Sequence, residues 1–135
     1  MGTPMAEMRG ITVDISAKLK EKGLKDIDLY LEAVKTPKQR KELAKELGID
    51  EKAVLELANR ADLARVKGIG KVFADLLENA GVDTVKELAK RIPENLLAKL
   101  LEVNKDKTVS GRQPTLDMVQ DWVAQAKELP KILEY

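Results

Sequence analysis

The chain has 135 residues, of which 44% are hydrophobic and 3% aromatic, so one compact domain or two packed half-domains must form a largely aliphatic core. Cysteine and histidine are both absent, which excludes disulfides and thiolate chemistry and removes the commonest general base. With 24 basic and 23 acidic side chains the net charge is +1, so overall charge gives no argument for a polyanionic partner.

Residues 1–8 are predicted to form a disordered N-terminal tail. No apolar run approaches the roughly 20 residues that span a bilayer, and the start of the chain lacks an apolar secretory stretch. The sequence therefore predicts a cytoplasmic protein with no membrane partner.

Residues 9–58 form the first of two predicted helical units. Ile11, Ile15 and Leu19 recur every four residues, which predicts one face of a helix that ends at Gly23. Thr36 is expected to cap a helix that begins at a proline and completes a capping box with Gln39. Further helix starts are predicted at Asp50, at Thr84 with Glu87 as a second capping box, and at Thr115.

Residues 59–135 form the second unit, with a polar loop predicted over residues 104–114. Residues 9–34 align without gaps on residues 67–92 at an offset of 58, with apolar positions and turn glycines in register. The helix around residues 58–66 joins the two copies. No stretch alternates as a long strand would, so the fold class is all-α, with eight to ten short helices in two related units.

The most informative segment covers residues 63–82. It contains a helix, the turn Gly68-Ile69-Gly70, and a second helix in which Ala74 lies four residues past the second glycine and Gly81 follows the end. This pattern resembles the helix-hairpin-helix motif. In such a turn Ile69 is expected to tuck inward, and Ala74 lets the two helices approach closely.

The residue types of this turn suit an anion. Glycine leaves no side chain between the backbone and a phosphate, and the first amides of the following helix have no intrahelical partner and lie at the positive end of its dipole. Arg65, Lys67 and Lys71 flank the turn, and residues 60–71 carry four basic and one acidic side chain, a local charge of +3.

The resemblance implies how this turn would work. Helix-hairpin-helix turns hold a DNA strand through its phosphates without reading bases, sometimes with a monovalent cation bound by turn carbonyls. On that basis the turn Gly68, Ile69 and Gly70 would receive the phosphate, and Lys71, Lys67 and Arg65 would supply charge. No catalytic residue and no other cofactor or metal is expected.

The first copy departs from the motif. It reads Arg9-Gly10-Ile11-Thr12, so the second glycine is replaced, and Asp14 places negative charge near the helix start. Thr12 is expected to act as an N-cap. The first hairpin is therefore predicted to be structural.

Residues 36–43, 59–63 and 119–130, taken with the hairpin, are similar to the bacterial family of domain of unknown function 4332. That resemblance implies tandem helix-hairpin-helix units and no established activity. The leading hypothesis is sequence-non-specific nucleic-acid binding, without enzymatic activity. The alternative is a protein-interaction or scaffold domain with structural hairpins, favoured by the near-zero net charge and by residues 113–135, which carry four acidic and two basic side chains.

Overall fold

The computed structural model describes residues 4, 5, 8, 11–107 and 111–134. Within these ranges the regular structure consists of eight α-helices and no strand, which confirms the all-α prediction. The helices are α1 (Val13–Glu21), α2 (Ile27–Ala33), α3 (Pro37–Leu47), α4 (Glu51–Leu63), α5 (Lys71–Asn79), α6 (Val85–Ala89), α7 (Pro93–Lys107) and α8 (Leu116–Glu128).

The helices follow one order twice, α1–α4 and then α5–α8. Helices α1 and α5 have nine residues each and begin at Val13 and Lys71, which are separated by the offset of the sequence repeat. Helices α3 and α7 both begin at a proline, Pro37 and Pro93. The internal sequence repeat therefore coincides with a repeated order of helices.

The turns after α1 and α5 have matching geometry. Gly23 and Gly81 have φ angles of 78° and 91°. In each turn the next N–H, from Leu24 or Val82, donates back to the helix at 2.8 or 2.9 Å. These bonds satisfy carbonyl groups that the helix end would otherwise leave open.

Two apolar clusters fill the molecule. One, around Tyr30 and Leu57, is formed by α1–α4, and the other, around Trp122 and Leu76, by α4–α8. Trp122 is buried and its ring centroid lies 5.2 Å from that of Phe73, so it anchors the second cluster. Helix α4 contributes to both clusters, and the predicted boundary at residues 58/59 falls inside it.

Most of the helices begin at a residue whose side chain caps the helix N-terminus. Thr36 accepts the N–H of Gln39 at 3.2 Å and the Gln39 side chain accepts the N–H of Thr36 at 3.1 Å, which confirms this capping box. Thr84 caps α6 as expected, but its partner Glu87 pairs with Arg91 at 2.9 Å instead of closing a box. The other predicted starts are in place: Thr115 caps α8, and Asp50 precedes α4 without a side-chain cap.

The N-terminal segment differs from its prediction. Met5 and Met8 are buried among the side chains of the first unit, and the N–H of Met5 donates to the carbonyl of Lys25 at 2.7 Å. The prediction of a disordered tail is wrong at these residues because their apolar side chains complete the core. Residues 1–3, 6 and 7 of that tail, and Arg9 and Gly10 of the first hairpin, lie outside the described residues.

The predicted loop over 104–114 begins later than expected. Helix α7 continues to Lys107, and Asn104 is buried at 7% exposure. The sequence contains no glycine or proline between Pro93 and Gly111 that would end the helix earlier. Residues 111–114 are non-helical, and residues 108–110 lie outside the described residues.

The C-terminal strap, residues 130–134, returns from the second unit to the first. Leu133 is buried in the first cluster, the N–H of Glu134 donates to Lys35 O at 2.7 Å, and Arg40 Nη2 donates to Glu134 O at 2.7 Å. The strap therefore joins the two units. In the ranges that the structure describes, no helix combines the length and apolarity needed to cross a membrane.

Candidate nucleic-acid interface

The turn between α4 and α5 is fixed by one glycine. Gly68 has a φ of +97°, a conformation that L side chains rarely adopt. A Cβ atom at this position would lie 3.0 Å from Trp122 Nε1. Two features therefore favour glycine at this position: the left-handed backbone angle and the close contact with Trp122.

Ile69 and Ala74 are both buried. Ile69 is 2% exposed, and its N–H donates to Val66 O at 3.0 Å. Ala74, in the first half of α5, is completely buried in the same apolar cluster. The inward direction of Ile69 is confirmed, and this side chain locks the hairpin onto the core.

A side chain from α8 holds the outer part of the turn. The N–H of Lys67 donates to Gln125 Oε1 at 2.9 Å, and Gln125 Nε2 donates to Lys67 O at 3.0 Å. The same Nε2 also donates to Asp121 Oδ2 at 2.8 Å. The amide of Gln125 thus satisfies both backbone groups of Lys67 and fixes its backbone. The lysine side chain is exposed.

The amides at the start of α5 are open. Gly70 is the N-cap and provides no side-chain cap, and the first backbone bond of the helix runs from Ala74 N–H to Gly70 O at 3.0 Å. In the described part of the chain, no protein group accepts the N–H of Lys71, Val72 or Phe73. Three adjacent donors at the positive end of a helix are suited to an anion.

The corresponding helix of the first unit is closed by its own side chain. Thr12 occupies the N-cap of α1, with an extended backbone at φ −101° and ψ 165°, and its Oγ1 accepts the N–H of Ile15 at 3.2 Å. The predicted capping role of Thr12 is confirmed. The first unit has threonine where the second has glycine, so the N-terminus of α1 is capped by a side chain and that of α5 is not.

Two of the three predicted cations are at the surface. Lys67 and Lys71 are exposed, and neither forms a salt bridge with a described carboxylate. Their ammonium groups flank the open amides along the chain, at the turn and at the first residue of α5. They are the positive charges that this corner offers to a ligand.

Arg65 was predicted to be a supporting cation, and this prediction is wrong. Its side chain is 8% exposed and its Nη2 and Nε lie 2.6 and 3.0 Å from Asp62 Oδ1. Its Nη1 donates to Pro130 O at 3.0 Å, at the start of the C-terminal strap. Arg65 is therefore a structural residue, since its charge and its donors are used inside the protein.

Arg60 is also neutralised within the fold. It lies between two carboxylates of α5, 3.2 Å from Asp75 Oδ1 and 3.0 Å from Glu78 Oε2. Burial raises the pKa of the Glu78 carboxyl, and the charge of Arg60 opposes that rise. Of the four basic side chains in residues 60–71, Arg60 and Arg65 are thus paired inside the fold, and Lys67 and Lys71 remain at the surface.

An open depression of about 650 Å³ lies against the turn. It is lined by residues 64–70 together with Ile27, Asp28 and Leu129. Asp28 is exposed, so its carboxylate opposes an anion on the side of the first unit. A phosphate is therefore favoured near Gly70, which precedes the open amides, rather than beside Asp28.

The carbonyl oxygens of the turn are the groups that would bind the predicted monovalent cation. Val66 O accepts the N–H of Ile69, and Lys67 O accepts Gln125 Nε2. Each oxygen keeps a second lone pair, so a monovalent cation at the turn stays a prediction. Among the described residues no group of three or more acidic side chains is placed to hold a metal ion.

Sequence reasoning missed three residues that shape this site. Trp122 limits the space beside Gly68, Gln125 fixes Lys67, and Asp62 holds Arg65 while its Oδ2 accepts the N–H of Val85 at 2.9 Å. The spacing of Asp62 and Arg65, three residues apart where α4 ends, was a local signal for their pair. The contacts of Trp122 and Gln125 come from α8 and had no local signal.

Comparison with known proteins gives a family and no activity. No curated protein and no solved structure matches the chain at a significant level. A family model described as "Domain of unknown function (DUF4332)" matches residues 9–129, which include all eight described helices. The chain belongs to the DUF4332 family.

Proposed function

We propose that the protein binds the backbone of nucleic acid, DNA in particular, at the second hairpin, without base preference and without catalysis. The binding groups are the N–H groups of Lys71, Val72 and Phe73 and the ammonium groups of Lys67 and Lys71. The observation that carries the proposal is the uncapped start of α5, with three adjacent donors that lack a protein acceptor in the described part of the chain.

The chemistry of these groups selects a phosphate. Amide donors and lysine charges contact phosphate oxygens, whereas a base edge is read by side chains that offer both donors and acceptors. Gly68 and Gly70 place no side chain at this corner, so the backbone can approach a strand closely. Such contacts give affinity that depends on salt and little discrimination among sequences.

The hairpin is proposed as a helix-hairpin-helix turn because its sequence resembles that motif, with Gly68, Ile69 and Gly70 as the turn itself. A monovalent cation bound by the turn carbonyls belongs to this proposal. A cytoplasmic location is proposed with it, since a chain without cysteine needs no oxidising compartment.

Fluorescence anisotropy of labelled duplex and single strands, titrated with the protein at about 50 mM and about 200 mM salt, tests the proposal. Binding should weaken steeply with salt and should differ little between strands of unrelated sequence. Lys71→Glu should weaken it further, and the variant should keep its helical content, because a carboxylate is favourable in the first turn of a helix.

The matched control is Lys41→Glu on α3, which makes the same charge change at an exposed lysine of the first unit. It should leave the affinity nearly unchanged. The proposal is contradicted if the wild type shows no salt-sensitive association at low salt, or if Lys41→Glu and Lys71→Glu weaken binding equally.

A scaffold role is the second candidate. It is favoured because Arg60 and Arg65 each pair with a carboxylate inside the fold, so that the hairpin keeps two surface cations. In that case both hairpins are structural, and purification from its source should recover a discrete protein partner. A monomer that carries no partner, measured by light scattering, would count against it.

A further inference from the structure

A second concave surface includes none of residues 67–73, which carry the open amides and the two surface lysines of the turn. This basic cleft has a volume of about 460 Å³ and is formed by α6, the end of α8 and the C-terminal strap. Its size is within the range of binding sites for small molecules or for anchoring side chains of a peptide.

The floor of the basic cleft is apolar. Val85 and Ala89 contribute from α6, Leu129 from the end of α8 and Ile132 from the strap. Ala89, Leu129 and Ile132 are only partly buried. The Asp62–Arg65 ion pair also reaches this surface, but each charge neutralises the other. An occupant with apolar groups would cover surface that is now half exposed to water.

Four lysines line the basic cleft. Lys86 and Lys90 belong to α6 or the residue after it, Lys127 to α8 and Lys131 to the strap. All four are exposed, and none forms a salt bridge with a described carboxylate. Five basic side chains and one acidic side chain line the cleft, in a protein whose net charge is only +1.

We propose that the basic cleft binds an acidic peptide segment of a partner protein, with apolar side chains on the floor and carboxylates beside the lysines. Charge complementarity selects acidity, and the apolar floor selects a chain that carries hydrophobic anchors. A nucleic-acid backbone would satisfy the lysines but offers no apolar group of comparable size to the floor.

The spacing of the lysines favours a peptide over a single-chain amphiphile. The four lysines form two pairs, Lys86 with Lys90 and Lys127 with Lys131, and the members of each pair are four residues apart along the chain. One carboxylate head group would pair with one or two of these lysines, whereas acidic side chains distributed along a peptide can pair with all four. This inference does not depend on the nucleic-acid proposal, because it uses different residues.

The probe is a short fluorescein-labelled peptide in which leucines alternate with pairs of aspartates. Anisotropy should show binding that falls with salt, and Lys86→Glu with Lys127→Glu should weaken it roughly tenfold, since each reversal replaces an attraction with a repulsion. The matched control, Lys41→Glu with Lys45→Glu on α3, should have little effect.

A second peptide, with serine in place of leucine, tests the floor without altering the protein. It should bind much more weakly than the leucine peptide. Amide NMR spectra should place the peptide-induced shifts at residues 85–90 and 126–133, and leave residues 67–73 unaffected.

Four results would overturn the proposal. They are equal binding of the serine and leucine peptides, an effect of the control variant equal to that of the cleft variant, shifts centred on residues 67–73, or occupation of the cleft by duplex DNA or dodecanoate but not by the peptide.

Discussion

The side-chain amide of Gln125 holds the backbone of Lys67 through two hydrogen bonds, of 2.9 and 3.0 Å, between residues that are 58 positions apart. This contact ties the hairpin turn to α8. It also explains how an exposed turn keeps one conformation and presents the following amides in a fixed direction.

Gln125→Ala should therefore loosen the turn. We expect a loss of about 1–2 kcal/mol in the free energy of unfolding, measured by urea titration, because two backbone groups lose their partners. Amide exchange at Lys67 should accelerate. Gln120→Ala is the control, on an exposed position of the same helix. Equal stability of the two variants would show that the clamp does not hold the turn.

Gly68→Ala should destabilise the protein by about 1–3 kcal/mol, because alanine is strained at a φ of +97° and its methyl group would lie 3.0 Å from Trp122 Nε1. Gly70→Ala is the matched change, since Gly70 has an extended backbone and a methyl group added there would meet nothing within 4 Å. Its stability should change by less than about 1 kcal/mol. Similar losses from both variants, measured through Trp122 fluorescence, would contradict this explanation of the turn.

Asp62→Ala should cost about 3 kcal/mol or more, because it leaves the buried guanidinium of Arg65 without its carboxylate and removes the acceptor of the Val85 N–H. Asp62→Asn should cost less, since its amide oxygen can still accept one of these donors. Chemical denaturation of both variants tests the order. Glu42→Ala, at an exposed position of α3, should stay within about 0.5 kcal/mol of the wild type.

Glu78→Gln should show a stability difference that depends on pH. Because burial raises the pKa of Glu78 in the folded protein, folding favours proton binding at this carboxyl relative to the unfolded chain. This contribution to stability is present at low pH and is lost as the pH rises through the folded-state pKa. Glutamine resembles the protonated side chain and does not titrate. The variant should therefore be at least as stable as the wild type at pH 7, and its advantage should shrink toward about pH 4. Thermal unfolding across this range would refute the idea if the advantage grew as the pH fell.

Local sequence signals were sufficient for most of the fold. The Thr36–Gln39 capping box and the cap at Thr115 depend on residues within one helical turn of each other, so short-range patterns revealed them. The inward position of Ile69 followed from the motif.

Contacts between distant segments were not predictable in the same way. The burial of Met5 and Met8 depends on a space left by the first unit. The loss of Arg65 as a surface cation depends partly on Pro130 O, which is 65 residues away. Counting charges along residues 60–71 could not show which cations point to solvent, and this is why the site is smaller than the sequence indicated.

The most direct test of the central claim is nucleic-acid binding by Gly70→Thr. The backbone at Gly70, with φ −97° and ψ −162°, is extended like that at Thr12, so a threonine should cap the Phe73 N–H as Thr12 caps Ile15. We expect unchanged or slightly higher stability and an affinity for duplex that falls roughly tenfold or more, since amide donors to a charged phosphate are lost. An unaltered affinity, with slowed amide exchange at Phe73 showing that the cap has formed, would contradict the claim.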